Sequence, residues 1–152
     1  MRRSKRVRRV VNLRFGLVLG SSGGALAKML PPFKMGVGGK LGSGRQYLSW
    51  VSLTDTARAI HHALLTDGLR GPVNVAAPGI VTNGEFARAL GRALSRPAVI
   101  PVPAPMLHAL FGEVAVTMLA GTRLDSTKLL SSGFEFQHPA LDGALRAALA
   151  RD

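Results

Sequence analysis

The chain has 152 residues, of which 47% are hydrophobic, and it carries a formal net charge of +12. This length matches one domain, and the hydrophobic content argues against intrinsic disorder. The chain contains no cysteine, which excludes disulfides, thiolate catalysis and cysteine-based zinc sites. Its longest apolar runs are far shorter than the ~20 residues that a membrane-spanning helix needs. We therefore expect a cytoplasmic protein without membrane association.

The positive charge is concentrated at the front of the chain. Residues 1–54 hold 11 Lys and Arg and no acid, whereas residues 55–152 hold 9 basic and 8 acidic residues. Six of the basic residues lie within the N-terminal run MRRSKRVRR. A nucleic-acid module more often spreads its charge over a folded face with interleaved aromatic residues. We therefore expect a basic tail over residues 1–8 and no specific nucleic-acid partner.

The same N-terminus permits two targeting interpretations. A secretory signal would have its cleavage site at Ala25-Leu26-Ala27, but Asn12 and Arg14 interrupt the apolar run that such a signal needs. An arginine-rich start without acids also suits a mitochondrial transit peptide. We prefer a buried strand, because VVNLRFGLVL is β-branched and apolar over a strand's length.

The chain alternates strand and helix patterns, which predicts an α/β protein. Residues 7–19 form an apolar strand typical of a parallel sheet covered on both faces. A helix over 25–30 should end at Pro31. Thr54 or Asp55 should cap a helix reaching Leu65, with an inner face of Ala57, Ile60, Ala63 and Leu64. Further strands are predicted over residues 46–53, 73–76, 99–102 and 134–136. Further helices are predicted over residues 85–94, 105–120 and 139–149. The capping box Thr82-Asn83-Gly84-Glu85 opens the helix over residues 85–94.

The run GVGGKLGSGRQYLSWVSLTD, residues 36–55, is the most informative stretch of the sequence. It combines a glycine-rich loop, a strand with Arg45, Gln46 and Trp50, and the start of a helix. Glycines let backbone amides approach a ligand closely, and an arginine recognises anions. This stretch therefore predicts a site for an anionic ligand.

Long segments of the chain resemble the epimerase family of atypical, extended short-chain dehydrogenases/reductases. The segment LRFGLVLGSSGGALAKMLPPFKMGVGGKLGSGRQYLSWVSLTD resembles the middle of that family, and GPVNVAAPGIVTNGEFARALGRAL with RPAVIPVPAPMLHALFGE resembles its C-terminal domain. The resemblance implies the last strands of an NAD(P)-binding Rossmann-like sheet plus a small C-terminal α/β substrate-side domain. It places a Rossmann remnant at residues 9–80 and the C-terminal domain at residues 81–152.

The sequence departs from this family in its catalytic elements. The family carries Gly-x-x-Gly-x-x-Gly, which holds the cofactor pyrophosphate at a helix N-terminus, and a Tyr-x-x-x-Lys pair for proton transfer. Here Tyr47 is the only tyrosine, and Val51 stands four residues later. We therefore predict no catalytic residue, no NAD(P) binding by this chain alone and a missing N-terminal Rossmann half. Whether the chain is an enzyme stays open at this point.

The resemblance assigns roles to a few residues. The segment that runs beside the nicotinamide ring of the cofactor in the family is matched by Phe15, Gly16 and Leu17. For Phe15 and Leu17, a place in the ordinary sheet core is the competing interpretation. Arg45, with its neighbour Gln46, matches the position that faces substrate phosphates, while an ion pair with Asp55 or another acid is the alternative.

Two further residue types have structural explanations. Trp50 is predicted to be core. Adjacent His61 and His62 point in different directions on a helix, so we predict no metal site.

Three functional hypotheses follow. The chain is the C-terminal part of an NAD(P)-dependent nucleoside-diphosphate-sugar epimerase or reductase, inactive alone and associating with a Rossmann half or with itself. Alternatively, it is a standalone interaction module that pairs through an exposed sheet edge. The third hypothesis is a polybasic nucleic-acid-binding protein.

Overall fold

The computed structural model describes residues 8–150, so the predicted basic tail lies almost entirely outside it. Within this range the predicted α/β class is confirmed, with six strands and seven helices. The elements are β1 (Val11–Phe15), β2 (Leu17–Leu19), α1 (Gly24–Lys34), β3 (Tyr47–Leu48), β4 (Trp50–Ser52), α2 (Leu53–Leu65), β5 (Gly71–Val75), β6 (Val81–Thr82), α3 (Asn83–Ala93), α4 (Ala104–Phe111), α5 (Val114–Ala120), α6 (Thr127–Ser131) and α7 (Leu141–Leu149).

The predicted single strand over residues 7–19 is wrong, because the structure divides it into β1 and β2 at Gly16, and its first residue lies outside the described range. β1 pairs in parallel with β5, whereas β2 pairs in parallel with β4. The change of partner occurs within two residues. The Gly16 amide donates to Val75 O at 3.1 Å, and the Leu17 amide donates to Ser49 O at 2.8 Å. One segment thus joins two short parallel pairs.

β1 is apolar on only one face. Val11 and Leu13 are half-buried and pack against the cluster formed by β5 and α2, while Asn12 and Arg14 on the opposite face are exposed. The prediction of a strand apolar on both faces is therefore wrong for β1. The exposed face has no covering helix within residues 8–150.

The two edges of the β1–β5 pair differ. On the β5 side, Lys128 of α6 donates through Nζ to the carbonyls of Arg70 and Pro72. Ser126 accepts from the Ala76 amide at 3.1 Å and donates to the Ala76 carbonyl at 2.6 Å. On the β1 side, no strand within residues 8–150 pairs with the outer edge.

Helix α2 begins two or three residues earlier than predicted. Ser52 is its N-cap, and the Ser52 hydroxyl accepts from the Asp55 amide at 3.0 Å. The predicted inner face is confirmed at Ala63 and wrong at its other three positions. Asp55, Ala59 and Ala63 face the core, whereas Ile60 and Leu64 are 43% and 69% exposed.

Asp55 is fully buried and connects α2 to the segment before α7. Its carboxylate accepts hydrogen bonds from Ser52 Oγ (3.0 Å), Arg58 Nη1 (2.8 Å), the Gln137 amide (2.8 Å) and the His138 amide (2.9 Å). Burial raises the pKa of Asp55, but the amides of Gln137 and His138, followed by Arg58 and Ser52, outweigh burial. The pKa of this carboxyl is therefore held below its ordinary value.

Several predicted boundaries are wrong for identifiable reasons. α1 continues through Pro31 and Pro32, because Phe33 beyond them is buried in the core and two prolines in a last turn remove few helical bonds. The predicted helix over 105–120 breaks at Gly112, whose φ of 58° ends α4 before α5 begins. Neither predicted strand over 99–102 or 134–136 forms. The first is reduced to a single bridge between Val102 and Leu41.

The main core lies between α1, α3, α4 and α7 and is built around Trp50 and Phe86, which are both fully buried. Trp50 Nε1 donates to Gly79 O at 2.8 Å, so its polar atom is satisfied. The prediction of Trp50 as core is confirmed. The predicted capping box is also confirmed, since Thr82 and Glu85 bond each other's amides at the start of α3. None of the helices within residues 8–150 is long and apolar enough to cross a membrane.

We predict that Asp55→Asn lowers the free energy of unfolding by about 3 kcal/mol, because at least one buried amide loses its acceptor. Thermal and urea melts followed by circular dichroism measure this loss. Asp67→Asn is the matched control, since Asp67 is exposed just after α2. A melt of Asp55→Asn that overlays the wild type contradicts the prediction.

The pH dependence of stability provides a separate test. A carboxyl with a lowered folded pKa stabilises the native state above its unfolded pKa, which is about 3.9 for aspartate. This contribution is lost as the pH falls through the folded pKa. Between about pH 4 and pH 2, the wild-type free energy of unfolding should therefore fall more steeply than that of Asp55→Asn. Parallel slopes for the two proteins would show that Asp55 is not responsible.

Candidate functional site

The candidate site is a cleft at Gly16, which lies between β1, the partner of β5, and β2, the partner of β4. Gly16 lies just beyond the carboxyl end of β1, and open α/β sheets bind ligands at the carboxyl ends of their strands. A Cβ atom at position 16 would lie 2.7 Å from Ser49 O and 2.9 Å from the Trp50 amide nitrogen. Only glycine therefore fits the close approach of the two strands.

The cleft has a volume of about 200 Å³ and is predominantly apolar. The strands form one wall, and α5 with the residues that follow it forms the other. No charged side chain of residues 8–150 lines it. The wall on the strand side consists of Phe15, Gly16, Leu17, Leu48 and Ser49, and the opposite wall consists of Val114, Thr117, Met118, Gly121 and Thr122.

Ser49 holds the two walls together. It is 2% exposed, and its hydroxyl donates to Thr122 O at 2.9 Å and accepts from the Leu124 amide at 2.8 Å. The Thr122 amide in turn donates to Tyr47 O at 2.8 Å. Because both bonds of the Ser49 hydroxyl are internal, Ser49 positions the cleft rather than a ligand.

All three residues that the resemblance assigned to the cofactor, Phe15, Gly16 and Leu17, line this cleft. Phe15 is 38% exposed and Leu17 is half-buried, so both side chains are accessible from the cleft. Their assignment to the cofactor stays a prediction.

The glycine-rich loop is clamped onto the start of α3. The Asn83 amide donates to Gln46 O at 2.8 Å, and the Gly84 amide donates to Gly44 O at 2.9 Å. Four loop amides also donate to protein atoms, which makes the predicted amide cradle wrong at these four positions. These bonds run from Leu41 N to Asn83 Oδ1 (2.7 Å), from Gly42 N to Val102 O (3.4 Å), from Gly44 N to Leu41 O (3.1 Å) and from Arg45 N to Ser43 Oγ (3.3 Å).

Arg45 and Gln46 have different environments. Arg45 is exposed, and its guanidinium makes no ion pair within residues 8–150, so pairing with Asp55 is excluded. Gln46 Nε2 donates to Leu41 O at 3.0 Å and to Met118 O at 3.5 Å, which ties the loop to α5. Substrate binding by Arg45 and Gln46 stays a prediction. Arg45 is available for it, whereas the amide nitrogen of Gln46 already has two protein acceptors.

The sequence did not indicate the α5 wall. Its pattern predicts one helix over residues 105–120 without a role in the site, but Val114, Thr117 and Met118 line the cleft. The available signal was a pair of glycines, Gly112 and Gly121, that bracket a short apolar segment. Both adopt positive φ, 58° and 79°. No cluster of three or more His, Asp or Glu within residues 8–150 could hold a metal ion.

We predict that Gly16→Ala destabilises the protein by about 2 kcal/mol, because the new Cβ would overlap Ser49 O and push β2 away from β4. Thermal melts measure the loss, and faster hydrogen exchange at the Leu17 amide locates it. Gly23→Ala is the control, since no atom lies within 4 Å of a Cβ built there and its φ of −174° suits alanine. Equal melts for the two variants would contradict the steric role of Gly16.

Known proteins resemble this chain over most of its length. Residues 102–148 match the family model described as a domain of unknown function, DUF1731. Over 143 residues the chain is 43% identical to the mouse epimerase family protein SDR39U1, covering 93% of this chain and 49% of the mouse protein. The crystal structure of human SDR39U1 isoform 2 with NADPH superposes with a TM-score of 0.87 at 39% identity, over 95% of this chain and 49% of the human chain.

A more distant structure extends the fold match. The UDP-glucose 4-epimerase of Thermus thermophilus in complex with NAD has a TM-score of 0.67 at 22% identity, over 93% of this chain and 46% of that chain. At this identity the match establishes the fold alone. The chain spans about half the length of the curated relatives it matches. The chain is similar to about half of several proteins named epimerase family proteins, which confirms the resemblance seen in its sequence.

Proposed function

We propose that this chain is the substrate-side half of an NAD(P)-dependent epimerase-family oxidoreductase. In this proposal a Rossmann half supplies the glycine fingerprint and the Tyr-x-x-x-Lys pair that the chain lacks. The human relative, which is described with NADPH, is about twice as long as the region that this chain matches. The chain alone is then expected to be inactive.

The observation that carries the proposal is the asymmetry of the β1–β5 pair. Lys128 and Ser126 occupy the backbone acceptors and donors on the β5 side, as is usual where a sheet ends. The β1 side lacks any such protection within residues 8–150. An unprotected edge next to an uncovered polar face favours continuation of the sheet on that side.

The backbone of β1 indicates which atoms would pair. Val10 O accepts from the Gly71 amide, and the Gly16 amide donates to Val75 O, both toward β5. Because backbone groups alternate in direction along a strand, residues 11, 13 and 15 direct theirs to the open edge. Three consecutive odd positions are therefore available to a neighbouring strand.

The cleft at Gly16 fits only one end of the cofactor. Phe15, Leu17 and Met118 offer an apolar, water-excluding surface of the kind that a nicotinamide ring requires. No fingerprint for the pyrophosphate exists here, and four amides of the glycine-rich loop are bonded internally. We therefore assign the pyrophosphate to the Rossmann half. When bound, NAD(P) supplies hydride transfer, and this chain orients the ring and the substrate.

Arg45 is our candidate for the substrate's anionic group. The loop that carries it is fixed to α3 and, through Gln46, to the α5 wall of the cleft. A guanidinium held on such a loop loses little freedom when it binds a diphosphate in a bidentate manner. A nucleoside-diphosphate sugar is the substrate class that combines this charge with a group entering the cleft.

Reconstitution tests the proposal. The full chain is titrated with NADPH by fluorescence, alone and mixed with the part of human SDR39U1 that it does not cover. We expect a dissociation constant below about 10 μM, or ~7 kcal/mol, for the mixture and no binding of this strength for the chain alone. Tight binding by the chain alone would overturn the proposal.

Val11→Pro probes the open edge directly. Proline at the first residue of a strand is tolerated structurally but removes the outward N–H of residue 11. We expect the melting temperature to stay near that of Val10→Ala, an exposed control, while association with the Rossmann half weakens at least about tenfold. A homodimer that Val11→Pro disrupts would instead favour the standalone interaction module. Unchanged association in Val11→Pro would show that the edge is not the interface.

A further inference from the structure

We propose that the groove beside α3 that contains Arg88, Arg92 and Arg96 binds an oligophosphate group. The groove has a volume of about 350 Å³, and its other lining residues are Gly91, Ser95, Ala98 and Val99. It shares no lining residue with the cleft at Gly16. The proposal therefore concerns a second ligand site of this chain.

The fold brings the three arginines together by two local devices. Arg88 and Arg92 lie four residues apart on α3 and so occupy the same face of the helix. After α3 the chain turns back at Ser95, a residue with the rare positive φ of 53°, and the Arg96 amide donates to Gly91 O at 2.9 Å. Arg96 is thereby returned to the side of the helix that carries the other two arginines.

The return of the chain requires a glycine in the helix. A Cβ atom at position 91 would lie 2.8 Å from both Ala98 Cβ and Arg96 O. The segment after the turn thus packs directly on the backbone of α3. The floor of the groove is formed by small and apolar residues, and Val99 at its rim is 79% exposed.

The charges in the groove are only partly compensated by acidic residues. Asp142 pairs with Arg92 at 3.2 Å, with both side chains more than 60% exposed. Glu85 lies near Arg88, but its carboxylate accepts from the Thr82 amide at 2.7 Å in the capping box and does not line the groove. Arg88 and Arg96 make no ion pair within residues 8–150. Arg88 and Arg92 carry like charges four residues apart on one helix face, which is unfavourable, and a multivalent anion would relieve this repulsion.

The chemistry of the side chains selects the ligand class. Guanidinium groups bind phosphate oxygens through paired, charge-assisted hydrogen bonds, and several arginines in one small groove suit adjacent phosphates better than a single one. An inorganic oligophosphate and the phosphates of a nucleotide share this chemistry. An acidic peptide would offer carboxylates that are spaced more widely than adjacent phosphates. Asp142 provides one such carboxylate to Arg92 within this chain.

Calorimetric titration of the full chain with inorganic triphosphate at about physiological salt tests the proposal. We expect Arg88→Ala/Arg96→Ala to weaken triphosphate binding at least about tenfold. The charge-matched control is Lys28→Ala/Arg70→Ala, which removes two exposed cations outside the groove and should change binding less than about twofold. Arg88→Gln/Arg96→Gln, which keeps hydrogen-bond donors without charge, guards against a folding defect in the alanine variant.

The outcomes separate specific from diffuse binding. Triphosphate binding that falls equally in both double variants overturns the proposal, as does the absence of wild-type binding or tighter binding of hexaglutamate. Inorganic phosphate should bind at least about tenfold more weakly than triphosphate. ATP affinity within threefold of triphosphate indicates recognition of the phosphates alone, and clearly tighter ATP binding that still depends on Arg88 and Arg96 indicates a nucleotide source.

Discussion

The buried carboxylate of Asp55 is the interaction on which the arrangement of this chain depends. It accepts from the Gln137 and His138 amides, so it fixes the segment before α7 against the start of α2. α7 packs on α3, and α3 anchors the glycine-rich loop that carries Arg45. A charge with four donors is costly to bury and more costly to leave unpaired. Through these contacts, Asp55 links α2, α7, α3 and the glycine-rich loop to one another.

Gly16 has a comparable role on the sheet side. The segment that contains it pairs with β5 through residues 11–15 and with β4 from Leu17 onward, and the two partners lie on opposite edges because backbone groups alternate in direction. The residues around Gly16 form one wall of the candidate cleft, and α5 with the residues that follow it forms the other. The absence of a side chain at Gly16 is therefore required where this wall approaches the backbone of Ser49. Phe15 and Leu17, on either side of Gly16, also line the cleft.

The sequence predicted the parts of the fold that depend on local chemistry. The capping box at Thr82 and Glu85, the burial of Trp50 and the α/β class all follow from patterns that neighbours in the chain determine. The errors concern partners distant in sequence. Whether residues 7–19 form one strand or two depends on Val75 and Ser49, and the inner face of α2 depends on the polar partners of Asp55. Nor could residue spacing reveal that α5 forms a wall of the cleft or that Arg96 returns to the side of Arg88.

The glycine-rich loop shows why a motif does not by itself establish a ligand site. Its glycines permit close backbone approach, but here the approach is to α3 and to Val102 rather than to an anion. A buried amide that already has a protein acceptor gains little from a ligand, because one hydrogen bond only replaces another. The loop therefore contributes rigidity, and the anion recognition that we propose for it rests on the exposed guanidinium of Arg45. By the same logic, Arg88 and Arg96, which make no ion pair within residues 8–150, are better candidates for a phosphate than any backbone amide of the loop.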